Sequence, residues 1–120
     1  MPTAEEIIKK FGAVEDDQRY TRLVELFTPD AIYYDPFMGA QVGTDAIRTF
    51  MGHMEEMVPA AGARFDEWEV CAGTTTAWAK WTMYAKGPNG EVGINGQSIY
   101  RLRDDGDGLK VGFVADYLDS

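Results

Sequence analysis

One cysteine and one histidine are all that the 120 residues offer of the two commonest nitrogen and sulfur ligands. Cys71 alone cannot close an intrachain disulfide, and a reducing compartment is its simplest setting. His53, without a Cys or second His to pair with, gives neither metal-ligand spacing nor a nucleophile relay. Basic residues are also scarce: eleven Lys and Arg stand against twenty Asp and Glu, a formal net charge of −9. Such a chain repels phosphate backbones and anionic headgroups, so neither nucleic acid nor a membrane surface is an expected partner. No apolar run approaches the ~20 residues of a membrane span. Met1-Pro2-Thr3-Ala4-Glu5-Glu6 shows no secretory signal, which makes the cytoplasm the expected location. A glycine-rich phosphate loop and a dinucleotide fingerprint are missing as well, and no cofactor is expected.

What is present fits one domain spanning residues 1–120, with 45 % apolar and 26 % charged residues. Three Trp, six Tyr and six Phe can fill a core or line an apolar pocket. Thr3 and Glu6 form a capping box ahead of a helix with Ile7, Ile8, Phe11 and Val14 on one face. Asp16 or Asp17 can cap a second helix carrying Tyr20, Leu23, Val24 and Phe27 at helical spacing. Pro29 breaks it, and Ala31–Asp35 reads as a short strand closed by Pro36. A loop over 37–43 leads to a third helix from Thr44, with Ile47, Phe50, Met51, Met54 and Val58 inward, stopped at Pro59.

The second half changes period. Residues 64–72, 77–86, 92–103 and 109–118 alternate and are rich in β-branched and aromatic side chains, separated by Gly, Pro, Asn and Asp turns. Short turns between consecutive strands imply an antiparallel meander, and helices followed by strands imply an α+β architecture. Trp78 and Tyr84 alternate with Trp81 and Met83, and Ile99 opposes Tyr100 and Leu102, so the sheet is apolar on both faces. A homodimer packed through the outer sheet face is therefore expected.

The segments Leu26–Pro36 and Gly43–Phe50, followed by four strands, resemble the NTF2-like superfamily, in its ketosteroid isomerase and SnoaL-like polyketide cyclase branch. The resemblance carries the Leu-Phe-x-x-Asp-Ala strand entry, the Asp-Pro exit, the Gly-x-x-Ala-Ile helix start and the Gly108-Leu109-Lys110-Val111 opening of the last strand. It implies a cone: N-terminal helices packed in a strongly curved, mostly antiparallel sheet that encloses an apolar pocket for a small apolar ligand. Asp35 before Pro36 matches the general base of ketosteroid isomerase, and desolvation in such a pocket makes a carboxylate a better proton acceptor. An Asp-Pro pair can equally close a strand. The isomerase's oxyanion donors are replaced, by Phe11 for its Tyr and by Ser98 for its protonated Asp.

Asp116 matches the acid/base Asp of SnoaL-like cyclases, whereas strict alternation groups it with Lys110 on a solvated face. Tyr33, Ser98 and Tyr100 can add hydrogen bonds to the pocket or pack as core, and the resemblance implies that Phe50, Met54, Trp81 and Met83 line it, although a Met and aromatic stripe at these spacings is more often core. His53 reads as a partly exposed helix residue, Cys71 as a small buried hydrophobe, and Asp104–Gly108 as a solvated hairpin. The expected activity is cofactor-free proton transfer on a small apolar carbonyl or hydroxyl compound, of isomerase, dehydratase or cyclase type. A non-catalytic ligand-binding protein and a dimeric interaction module are the alternatives.

Overall fold

A computed structural model describes residues 2–119. Helix α1 (Ala4–Asp16) starts where the capping box puts it: Thr3 Oγ1 accepts from the Glu6 amide at 3.2 Å, and Ile7, Ile8 and Phe11 are buried. The expected second helix is a 3-10 segment, Tyr20–Leu26, which buries Tyr20 and Leu23, while Phe27 already belongs to the next strand. Strand β1 (Phe27–Asp35) passes through Pro29-Asp30 instead of beginning after it, with its register shifted between Phe27 and Ile32. That irregularity absorbs the proline, whose missing amide would interrupt a regular ladder.

The stretch expected to be a loop holds a second strand, β2 (Gly39–Val42), paired antiparallel to β1. Gly39 turns the hairpin at φ 78° and Gly43 enters helix α2 (Thr44–Ala60) at φ 86°. Both angles lie in the left-handed region that glycine adopts without steric cost. Helix α2 buries Ile47, Phe50, Met51 and Val58, and keeps Pro59 within its last turn. Strands β3 (Arg64–Ala72), β4 (Thr76–Gly87), β5 (Gly90–Asp104) and β6 (Leu109–Leu118) then form the expected meander.

The sheet order is β2-β1-β6-β5-β4-β3, with β1 parallel to β6 and every other pair antiparallel. The helices cover the inner face, on which Ala79, Tyr100, Leu102, Val111 and Val114 are buried. Register shifts in β1, β3 and β6 bend the strands around the helices. On the outer face cations lie over the aromatic rings: Arg64 over Tyr84, Lys80 over Trp78 and Arg101 over Phe113. Ile99 and Tyr117 stand exposed between them. Among the described residues no helix is long and apolar enough to cross a membrane.

Candidate functional site

A cavity of about 300 Å³ opens between the inner face of the sheet, α1, α2 and the β1–β2 turn. It brings together Phe11, Tyr33, Asp35, Phe50, Met54, Trp81, Met83, Ser98, Tyr100 and Asp116. Its walls are mostly aromatic and thioether. Phe11 meets Phe27 and Tyr100 edge-on at 5.4 and 5.5 Å, and Phe50 lies 5.1 Å from the Tyr33 ring. Trp81 packs over Gly96, where an added Cβ would sit 2.3 Å from the indole Cη2. Glycine is required there because the ring occupies the space of a side chain.

One chain of hydrogen bonds crosses this apolar wall. The Trp81 indole N–H donates to Ser98 Oγ at 2.8 Å, and Ser98 donates to Asp116 Oδ1 at 2.6 Å. The Tyr33 hydroxyl donates to Asp116 Oδ2 at 2.5 Å. An indole can only donate, so Ser98 accepts from Trp81 and spends its single proton on Asp116. The polarity of the chain is thereby fixed toward the carboxyl group. Burial pushes Asp116 up to about 6 against the lowering pull of Ser98 and Tyr33, and the charge of Asp35 adds to the rise. The carboxylate therefore changes protonation within reach of neutral pH.

Asp116 is in the cavity because β6 is not a regular strand. The β5–β6 register shifts after Arg101↔Phe113, so that Leu102 pairs with Val111 and Gly112 falls in a bulge. Val111 and Val114, three residues apart, both face inward, and Asp116 and Leu118 continue that face. Strict alternation, which groups Asp116 with Lys110, fails at this bulge. Asp35 is half-buried at the rim, and its Oδ2 accepts the amides of Phe37 and Met38, each at 2.8 Å. The side chain read as a general base caps the β1–β2 turn, and it holds exposed Phe37 and Met38 at the cavity mouth.

The SnoaL-like domain signature matches residues 8–107. The chain belongs to the SnoaL-like domain family. Among solved structures, SalBIII, described as an epoxide hydrolase/cyclase-like enzyme in pyran ring formation in the polyether salinomycin, superposes with a TM-score of 0.74 at 19 % identity, covering 96 % of this chain and 89 % of that one. An NTF2-like protein of unknown function from Mesorhizobium loti gives 0.75 at 19 % identity, over 97 % and 90 % of the two chains. A protein with a ketosteroid isomerase-like fold from Catenulispora acidiphila, solved in complex with trimethylamine, gives 0.73 at 16 % identity, over 97 % and 86 %. These likenesses show the NTF2-like fold. No curated protein matches the chain.

Two features of this SnoaL-like chain escape the sequence reading. Glu67 and Asp16 also line the cavity, on β3 and at the end of α1. The signal for Glu67 is its phase with Phe65, an inward residue whose ring meets Trp81 at 5.6 Å. Burial raises Glu67 above the usual carboxylate range, and the charge of Asp16 adds to it. Cys71, read as buried, is exposed on β3, an edge strand of the SnoaL-like sheet. His53 is exposed on α2, and Asp104–Gly108 forms a hairpin turn in which Asp104 and Asp105 accept the Gly106 and Asp107 amides.

Proposed function

We propose that this protein is a cofactor-free catalyst of proton transfer on a small apolar carbonyl or hydroxyl compound, with Asp116 as its acid/base. The observation that carries the reading is a carboxyl group clamped by Tyr33 and Ser98 inside an apolar cavity. Each carboxylate oxygen has a second acceptor direction, so both protein hydrogen bonds can persist while a substrate C–H proton is taken. A proton on Oδ1 would turn the Ser98 hydroxyl away from Asp116 and into the apolar wall, so the proton settles on Oδ2 and is shared with Tyr33. The Tyr33 hydrogen bond then reverses, and the phenol turns its own proton toward the oxygen on which negative charge develops. Returning the proton to another carbon completes an isomerisation, and delivering it to a leaving hydroxyl completes a dehydration. Asp35 serves as the turn cap and, through its charge, supports the basicity of Asp116.

The test uses 3-cyclohexen-1-one, whose conversion to the conjugated enone is followed by ultraviolet absorbance. Asp116→Asn is expected to lower any rate above buffer by about 100-fold or more, in line with general-base losses. Conversion by the variant at the wild-type rate would remove Asp116 from the mechanism. A second reading, ligand binding without chemistry, draws on Phe11, which offers no donor where ketosteroid isomerase has a phenol. A homodimer through the outer sheet face is the proposed assembly, carried by exposed Ile99 and Tyr117. Light scattering that shows a monomer at micromolar concentration would contradict it.

A further inference from the structure

The ionisable carboxyl and amino groups that line the cavity are of one sign. Asp16, Asp35, Glu67 and Asp116 contribute four carboxyl groups, and among the described residues no Lys, Arg or His lines it. Asp35 is occupied by two backbone amides, and Asp116 by Tyr33 and Ser98. Glu67 differs. It is half-buried, with one oxygen 3.3 Å from where a Cβ on Gly12 would stand, and among the described residues its side chain has no hydrogen bond or ion pair. Lys9 lines the shallow recess outside Glu67, but its ammonium pairs with Glu5 at 3.5 Å. Neither of its oxygens is fully buried, so a bound cation would replace water on a carboxylate that no protein donor holds.

Glu67 also sits far from the reacting end. It pairs across the sheet with Trp81, which pairs with Gly96, which pairs with Leu118, two residues beyond Asp116. Three strand spacings of about 4.8 Å put Glu67 roughly 14 Å from β6 along the sheet. Between the two lie the apolar faces of Phe65, Trp81 and Met83. No group of three or more His, Cys, Asp or Glu among the described residues is arranged to hold a metal ion.

We propose that the cavity selects an apolar molecule carrying a protonated amine, with the ammonium paired to Glu67 at the end remote from Asp116. The inference rests on the cavity being a ligand site, and it does not depend on whether Asp116 performs chemistry there. Ammonium is favoured over hydroxyl because Asp16 stands beside Glu67 and the whole chain is anionic, so a cation gains from both and an anion is repelled.

Calorimetry at pH 7.5 and low salt with three naphthalene probes tests this: 2-(1-naphthyl)ethylamine, 2-(1-naphthyl)ethanol and 1-naphthylacetate. The amine is expected to bind about tenfold more tightly than the alcohol, with the acetate weakest. Glu67→Gln should remove most of the amine's advantage, about tenfold, and leave alcohol binding within twofold. Asp116→Asn should leave the larger part of that advantage in place. Equal binding of the three probes would overturn the proposal, as would tighter binding of the acetate. An amine preference that vanishes in Asp116→Asn but survives Glu67→Gln would move the ammonium to the other end of the cavity, and so would also overturn it. Circular dichroism of Glu67→Gln checks its fold, and Asp16→Asn, with a smaller loss of amine binding expected, provides the second variant. Failure of the enone assay would leave these outcomes unchanged, so the two readings fail separately.

Discussion

Replacing Asp116 with Asn should make the protein more stable above pH 6. In the folded state burial holds this carboxyl at about 6, against 3.8 for an ordinary Asp. Each unit of difference is worth about 1.36 kcal/mol, so keeping Asp116 ionised in the folded protein costs on the order of 3 kcal/mol. The sign follows from proton linkage. Between pH 3.8 and about 6 the folded state binds more protons than the unfolded one, so this group's contribution falls as pH rises through that window. Asn carries no charge and preserves the geometry: its Oδ1 can accept from Ser98 while its amide donates to the Tyr33 oxygen.

Wild type and variant should therefore melt together near pH 4. At pH 8 the variant should be more stable by about 1–3 kcal/mol, the lower figure allowing for weaker hydrogen bonds to a neutral amide. With an unfolding entropy of about 2.1 cal/mol/K per residue, that is a shift of roughly 4–12 °C in midpoint for this chain length. Paired thermal or urea melts across pH 4–8 read it. Their difference cancels the other acids, including Asp30, Glu55 and Asp105, whose hydrogen bonds lower them. A difference that stays flat with pH, or a variant less stable at pH 8 than at pH 4 relative to wild type, would refute the reasoning. A variant that gains stability while losing enone conversion would show a residue held in place for chemistry at the expense of the fold.

Two further substitutions probe the support of that carboxyl group. Gly96→Ala places a methyl group 2.3 Å from the Trp81 ring, so the indole must shift. Overpacking of that kind costs about 1–3 kcal/mol in chemical denaturation, and the Trp81–Ser98 hydrogen bond should be lost with it. Asp35→Ala removes the acceptor of the Phe37 and Met38 amides and should lower stability by about 1 kcal/mol, whereas Asp35→Asn keeps an acceptor and should stay close to wild type. Both Asp35 variants remove a negative charge near Asp116 and should lower its titration midpoint, read by carboxyl NMR.

The elements carried by long-range periodicity were legible in the sequence. The capping box at Thr3, the inward stripe of α2 and the meander from Arg64 onward all follow from side-chain spacing and turn chemistry. What escaped depends on local departures from a period. Tyr20–Leu26 has helical spacing, but it winds into the tighter 3-10 form and runs directly into β1, which side-chain spacing does not distinguish from an α-helix. Strand β2 is only four residues long, Gly39-Ala40-Gln41-Val42, with Val42 its one strong strand former, so pairing with β1 and not propensity makes it a strand. The bulge at Gly112 decides whether Asp116 meets solvent or the cavity, and alternation has no means of showing an inserted residue. The polar roles followed tertiary approach in the same way: Asp35 is a residue at a strand end in sequence, and two amides of the following turn determine what its carboxylate holds. Glu67 looks like an ordinary strand carboxylate until Trp81 and Gly12 are seen beside it.

Carboxyl carbon NMR of aspartate-labelled protein, with the Asp116 resonance assigned by its absence in Asp116→Asn, measures the group on which the proposed chemistry depends. A midpoint close to 6, falling when Asp35 is neutralised, is the predicted result. A midpoint near 3.8, unmoved by Asp35→Asn, would contradict it and leave the cavity without a base tuned for proton transfer.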